Sequence, residues 1–213
     1  MLLKILNQAL EDLQLLPVRN GSELRDQLDD HYNQHFHYDG TDRGVQRSEN
    51  QQRQREHYSG KHREHTVKNL TLCDDRQYVH YLSATCPGKQ HDKSIADEFP
   101  IELPPGSCLK QDLGFLGHDL QGVIVETPFK KPKNQELTFS QKLYNQILAE
   151  MRIVVEHANS GIKRLRMLKD QIRLHSSQIR DQVMEVACGI HNLRVNSPQR
   201  AYPKLTHARA RTV

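Results

Sequence analysis

Hydrophobic periodicity changes character several times along this chain, and the order of those changes limits the folds open to it. Leu2, Leu3, Ile5, Leu6, Ala9, Leu10 and Leu13 fall at helical spacing within residues 2–16. Ser22 can cap a short second helix over 23–32. Phe36 and Tyr38 then alternate with polar residues, a strand pattern that ends at Asp39-Gly40. VKNLTLC and QYVHYLS flank Asp74-Asp75-Arg76 and predict an antiparallel hairpin. A short helix over 93–98 follows, with Asp92 as its N-cap. Strands over 108–112 and 122–127 precede a long helix from Gln141, capped by Ser140, and a last helix over 178–193. Strands interleaved with helices predict an α/β fold with a mixed central sheet flanked by helices.

The intervening residues 43–66 contain almost no apolar side chains and no helical stripe, so they read as a long basic, Gln/Arg-rich arm. No apolar run approaches the roughly 18 residues that would span a bilayer. The N-terminal helical segment is broken by Asn7, Glu11 and Asp12 and lacks a cleavage-site pattern, which sets it apart from a signal peptide. Cys73, Cys86, Cys108 and Cys188 form no C-x-x-C pair, which argues against a zinc ribbon and fits reduced cytosolic thiols. The His31, His35 and His37 cluster lacks the spacing of a zinc site. No G-x-S-x-G supports a serine hydrolase.

Charge is strongly partitioned. Residues 1–39 carry three basic and seven acidic side chains, residues 43–68 seven and three, residues 69–156 nine and twelve, and residues 157–213 eleven and three. A basic arm and a basic tail around an acidic middle suit a protein that holds a polyanion by its edges and gathers carboxylates at a centre.

Within the long helix, Ile147, Met151, Val154, Ala158, Ile162 and Leu165 form one apolar stripe, while Arg152, Glu156, Asn159 and Lys163 lie together opposite it. Two readings of that polar face are open. It is a solvated side with i,i+4 pairing, or an ordered face that brings Glu156 toward other carboxylates. Asp39-Gly40 has two readings as well, a hairpin turn or a strand-terminal carboxylate. Asp39, Asp112 and Glu156 together would supply the hard oxygen ligands that two Mg²⁺ ions require, leaving positions for water and phosphate. Arg152 and Lys163 would suit DNA phosphates beside them.

Four stretches carry a family resemblance: DGTDRGVQR (39–47), HYSGKHREHTVKN (57–69), CPGKQHDK (86–93), and QDLGF (111–115) with the spacing of Arg152, Glu156 and Lys163. Together they resemble the catalytic domain of DDE-superfamily transposases of bacterial insertion sequences, in the group related to Harbinger transposases. The resemblance implies an RNase H-like fold over residues 35–195, a helical lead-in over 1–34 and a basic tail over 196–213. It implies a catalytic, metal-binding triad of Asp39, Asp112 and Glu156, two Mg²⁺ ions for which Mn²⁺ substitutes, and DNA strand cleavage and transfer. Asp112 is preferred to Asp92 as the second ligand because it ends a strand. Asp92 and His91, Arg152, Lys163, Lys61 and His65 are implied as supporting or DNA-contacting residues. The implied partners are insertion-sequence ends and target DNA, with a homodimer allowed and no membrane, in a bacterial cytoplasm at the nucleoid. The resemblance implies an N-terminal helix-turn-helix domain in such enzymes, just after which this chain is expected to start. The alternative is a truncated, inactive remnant that binds DNA without specificity. Two departures accompany the match. The strand before Asp39, HFHY, is half histidine, and Phe115 stands where tyrosine is common.

Overall fold

The computed structural model describes residues 2–28, 34–174 and 176–197. Helices α1 (Leu2–Asp12) and α2 (Leu24–Leu28) lead into strand β1 (His35–Gly44). The rest of the helix expected over 23–32 lies outside the described residues beyond Leu28, as does the tail beyond 197. Then follow α3 (Gln51–His57), β2 (Tyr58–Ser59), β3 (Glu64–Asp74), β4 (Val79–Leu82), β5 (Cys86–Pro87), α4 (Asp92–Glu98) and β6 (Cys108–Gln111). A 3-10 turn at Leu113–Phe115, β7 (Ile124–Glu126), α5 (Phe139–Ile162), α6 (Arg166–Lys169) and α7 (Ser177–Val195) complete the order. Among the described residues, no helix is long and apolar enough to cross a membrane.

The sheet is mixed, as the interleaved pattern predicts. Its order is β2-β3-β1-β6-β7, and β4 and β5 pair with β3 on the same side as β2. β1 runs antiparallel to β3 and parallel to β6, and β6 runs parallel to β7. Helices cover both faces. On one, Phe36, Tyr38, Leu70, Leu72 and Leu109 pack with Leu24, Leu28, Ile95 and Phe115. On the other, Cys73, Val79 and Leu82 meet Val155, Ala158 and Ile162 of α5 and Val183, Met184 and Ala187 of α7. The half-histidine strand packs by alternation. Phe36 and Tyr38 are fully buried on the first face, while His37 enters the second and hydrogen-bonds Asp75 through Nε2 at 2.8 Å. Burial, the largest influence, lowers the His37 pKa. All four cysteines are free thiols.

Several local expectations are corrected. Asp39-Gly40 is not a turn: Asp39 pairs with Thr71 and Gly40 with Leu70 in the interior of a ten-residue strand. The arm at 43–66 is structured by pairing and capping rather than by apolar content. Val45 bridges Ile172, the Asn50 side chain caps α3, and β2 pairs with the start of β3. Asp92 is the first residue of α4 and not its cap, which is His91 acting through backbone alone. The long helix starts earlier than Gln141, because Thr138 and Gln141 form a reciprocal capping box that overrides Ser140.

The expected apolar stripe of α5 holds in its second half, where Ala158 and Ile162 are buried and Val154 and Leu165 pack against that cluster, but not in its first. Leu148, Val155, Ala158, Asn159, Gly161 and Ile162 are buried, whereas Ile147 and Met151 are 45% and 44% exposed. Gly161 marks the closest approach of this half of the helix to α7. A Cβ there would fall 2.3 Å from the His191 ring, so bare backbone sets how closely α5 and α7 pack. With that side of the helix turned inward, Arg152 and Asn159 face the sheet.

Candidate active site

The alternation of β1 decides which residues meet α5. Its odd-numbered side chains point toward α5 and α7, placing Asp39 under α5 and Arg43 under α7. The last registered pair of the parallel β1–β6 ladder is Tyr38 with Gln111, so Asp39 and Asp112 are the next residues along neighbouring strands. Asp112 lies just past β6 and caps the 3-10 turn, its Oδ1 accepting the Gly114 N–H at 2.7 Å. Neighbouring strands are about 4.8 Å apart, so this register alone brings the two carboxylates together.

Arg152 bridges them. Its Nη2 lies 3.7 Å from Asp39 Oδ1 and 3.8 Å from Asp112 Oδ2. Those distances are charge contacts rather than hydrogen bonds. The other oxygen of Asp39, Oδ2, accepts from Asn159 Nδ2 at 3.1 Å, and Asn159 Oδ1 accepts from Thr71 Oγ1 at 3.1 Å. This chain from β3 through α5 fixes the Asp39 carboxyl and leaves Oδ1 toward Asp112. Burial pushes the Asp39 pKa up to about 6; Arg152 opposes the rise, and the negative charges of Asp112 and Asp92 add to it.

Asp92 approaches the same place from the opposite face of the sheet. Lys68 Nζ donates to its Oδ1 at 2.8 Å and to the Gln90 carbonyl at 3.2 Å. Two glycines make room for it. A Cβ at Gly40 would lie 2.6 Å from Asp92 Oδ1, and one at Gly114 would lie 2.5 Å from Asp92 Oδ2 and 2.8 Å from Asp112 Oδ1. The glycine that follows Asp39 and the one two residues after Asp112 are therefore packing requirements of an acidic centre. Lys68, Asn159, Thr71, Gly40 and Gly114 were not identified as site residues from sequence. The Asp-Gly and Asp-x-Gly pairs were the available signal, whereas nothing local marks Lys68 or Thr71.

The other candidate residues divide. Glu156 is exposed on α5, one turn beyond Arg152, and no hydrogen bond or ion pair joins it to either aspartate. Among the described residues, no three His, Cys, Asp or Glu side chains converge in a metal-holding group. Lys163, at the end of α5, is partly buried; burial lowers its pKa, against the opposing charge of Asp42. His91 has an exposed side chain beside Asp92. Lys61 is exposed, and His65 packs on Tyr58 six residues before Thr71 on β3, roughly 20 Å from Asp39 by strand rise.

The donor chemistry nonetheless suits a hard divalent cation. Two adjacent carboxylates share a single, loosely held positive group, and the buried one carries an elevated pKa that a cation would bring down.

A family model described as DDE superfamily endonuclease matches residues 38–192. The chain is also 32% identical over 120 residues to a protein of Microchaete diplosiphon named "Probable transposase for insertion sequence element IS702", a match covering 56% of this chain and 44% of that protein. The chain thus spans under half the length of this curated relative. No solved structure matches it. The matched segment covers most of the chain and contains Asp39, Asp112, Arg152 and Glu156 together, so the chain belongs to the DDE superfamily endonuclease family.

Proposed function

We propose that this chain is the catalytic domain of a transposase, carrying out metal-dependent cleavage and transfer of DNA strands on an RNase H-like core. The observation that carries the reading is the Asp39–Arg152–Asp112 arrangement at the centre of a mixed sheet. An antiparallel β3–β1 pair followed by parallel β6 and β7, with helices on both faces, supports the fold assignment. Asp39 and Asp112 would hold the divalent ions, with Glu156 supplied by α5. A divalent ion such as Mg²⁺ or Mn²⁺ held there would supply Lewis acidity for activating a water or 3′-hydroxyl and for stabilising the departing oxygen.

The protein's own groups have separable tasks. Asn159 fixes the Asp39 carboxyl, and Asp112 is held by the Gly114 N–H, so both oxygens that face Arg152 are pre-oriented. Arg152 neutralises the acidic pair before ions and DNA arrive, and together with Lys163 offers positive charge to phosphates flanking the scissile one. Asp92, neutralised by Lys68, supports the pair from below rather than binding an ion. The substrates in this reading are insertion-sequence ends and target DNA, handled by two copies of the chain.

The test is nicking of supercoiled plasmid. The protein is expected to nick in Mg²⁺ or Mn²⁺ but not in Ca²⁺, and Glu156→Gln to abolish it. Nicking that survives Glu156→Gln sinks the triad assignment.

A further inference from the structure

A cleft of about 630 Å³ opens where β1 leaves the sheet, and Arg47, Arg53, Arg180, His57, His65 and Glu49 line it. Its floor is built rather than loose. Val45 N–H donates to the His65 carbonyl at 2.8 Å, Gln46 N–H to the Ile172 carbonyl at 3.1 Å, and Ile172 N–H to the Gly44 carbonyl at 2.8 Å. Val45, Val67 and Ile172 form a small apolar cluster beneath. One wall is α3 and the other is the first turns of α7.

The charge in this cleft is unbalanced. Arg47, Arg53 and Arg180 take part in no ion pair among the described residues. Arg47 Nε donates only to the neutral Gln54 Oε1, and Arg180 Nε only to the Leu174 carbonyl. Arg53 and Arg180 line the same cleft, and burial first, with the like charge of Arg53 second, lowers the Arg180 pKa. Glu49 is the single carboxylate in the lining, and it is exposed. A cluster of uncompensated guanidiniums interleaved with Ser, Asn and Gln side chains fits phosphate oxygens.

Position along the strand indicates what those phosphates belong to. Val45, just past the end of β1, is six residues beyond Asp39 and falls on the same face by alternation, roughly 20 Å away by strand rise. That is about six base-pair steps of a duplex. Resting on the nuclease reading above, we infer that the Arg47–Arg53–Arg180 cleft grips the phosphate backbone of the DNA substrate about half a helical turn from the bond held at Asp39 and Asp112.

The experiment is fluorescence anisotropy of the full chain with a labelled duplex of about 30 base pairs, titrated from about 50 to 200 mM NaCl in Ca²⁺ so that no cleavage intervenes. Arg47→Gln/Arg53→Gln changes two exposed side chains and is expected to flatten the log–log salt slope by about 2, narrowing the affinity gap to the parent about tenfold across that range. Lys130→Gln/Lys131→Gln, beyond β7 at the opposite edge of the sheet, removes as much charge and is expected to leave the slope near the parent's. An unchanged slope in the arginine variant, or equal flattening in both, overturns the cleft assignment. Failure of the nuclease reading would show as Glu156-independent nicking, which this binding titration does not measure.

Discussion

Replacing Asp39 by asparagine is expected to stabilise the metal-free protein, and by an amount that depends on pH. The Asp39 pKa is raised from 3.8 to about 6 in the folded chain, mainly by burial. A raised carboxyl contributes stability that is fully present below the unfolded value and is lost as pH rises through about 6. At about 1.36 kcal/mol per unit, the ionised carboxylate costs about 3 kcal/mol at pH 8 relative to the protonated form, and about half a kcal/mol at pH 4. Asparagine carries no charge, but its Oδ1 must accept from Asn159 Nδ2, which turns its own amide donors toward Arg152. That mismatch removes about 1 kcal/mol or more of the gain. The net expectation at pH 8 in EDTA is a stabilisation of about 1–2 kcal/mol, a rise in Tm of roughly 2–8 °C for a chain of this size. Thermal unfolding followed by circular dichroism at pH 8 and pH 4 reads it directly, and the advantage should be gone at pH 4. Added Mg²⁺ should then raise the Tm of the parent and not of Asp39→Asn. A variant no more stable than the parent at pH 8, or a gain that persists at pH 4, refutes the account of Asp39 as a buried carboxylate held ionised at a cost.

Arg152→Gln should act with the opposite sign: without the shared cation the acidic pair is left uncompensated, lowering metal-free stability at pH 8 by about 1–2 kcal/mol. The deficit should shrink at pH 5, where Asp39 holds its proton, and a deficit independent of pH would mean that Arg152 matters through packing alone. Gly161→Ala should destabilise by about 1–3 kcal/mol despite the better helix propensity of alanine, because the new Cβ meets the His191 ring; chemical denaturation that finds it neutral or stabilising would show that α5 and α7 separate at little cost.

Much of the fold was legible because each signal was local. The β3–β4 hairpin, the short strands β6 and β7 and the last helix α7 follow from alternation, turn residues and capping, which depend on neighbours a few positions away. Where local signals competed, tertiary packing decided. Asp39-Gly40 has the composition of a hairpin turn, yet β1 passes straight through it because β3 pairs with it continuously from Phe36 to Gly44. The glycine is there for a carboxylate from α4, an approach across the sheet that no neighbour in sequence announces. The arm at 43–66 lacks a hydrophobic pattern, so its structure rests on an asparagine cap and on strand pairing with residues far along the chain.

By itself, the amino-acid sequence determined the types of the main elements outside 43–66, the mixed sheet and Asp39, Asp112 and Arg152 as candidates for the chemistry, because residue types and spacings suffice for those. Tertiary structure alone decided the phase of α5. Periodicity offered a stripe through Ile147 and Met151, but the packing of α5 against the sheet and α7 placed Arg152 and Asn159 inward and left Glu156 at the surface. It also decided that Asp39 and Asp112 share a single guanidinium, since the parallel register of two strands more than 60 residues apart in sequence sets them side by side. Rotation of a helix about its axis and register between distant strands are set by the sum of many contacts, and neither is encoded in any short stretch of chain.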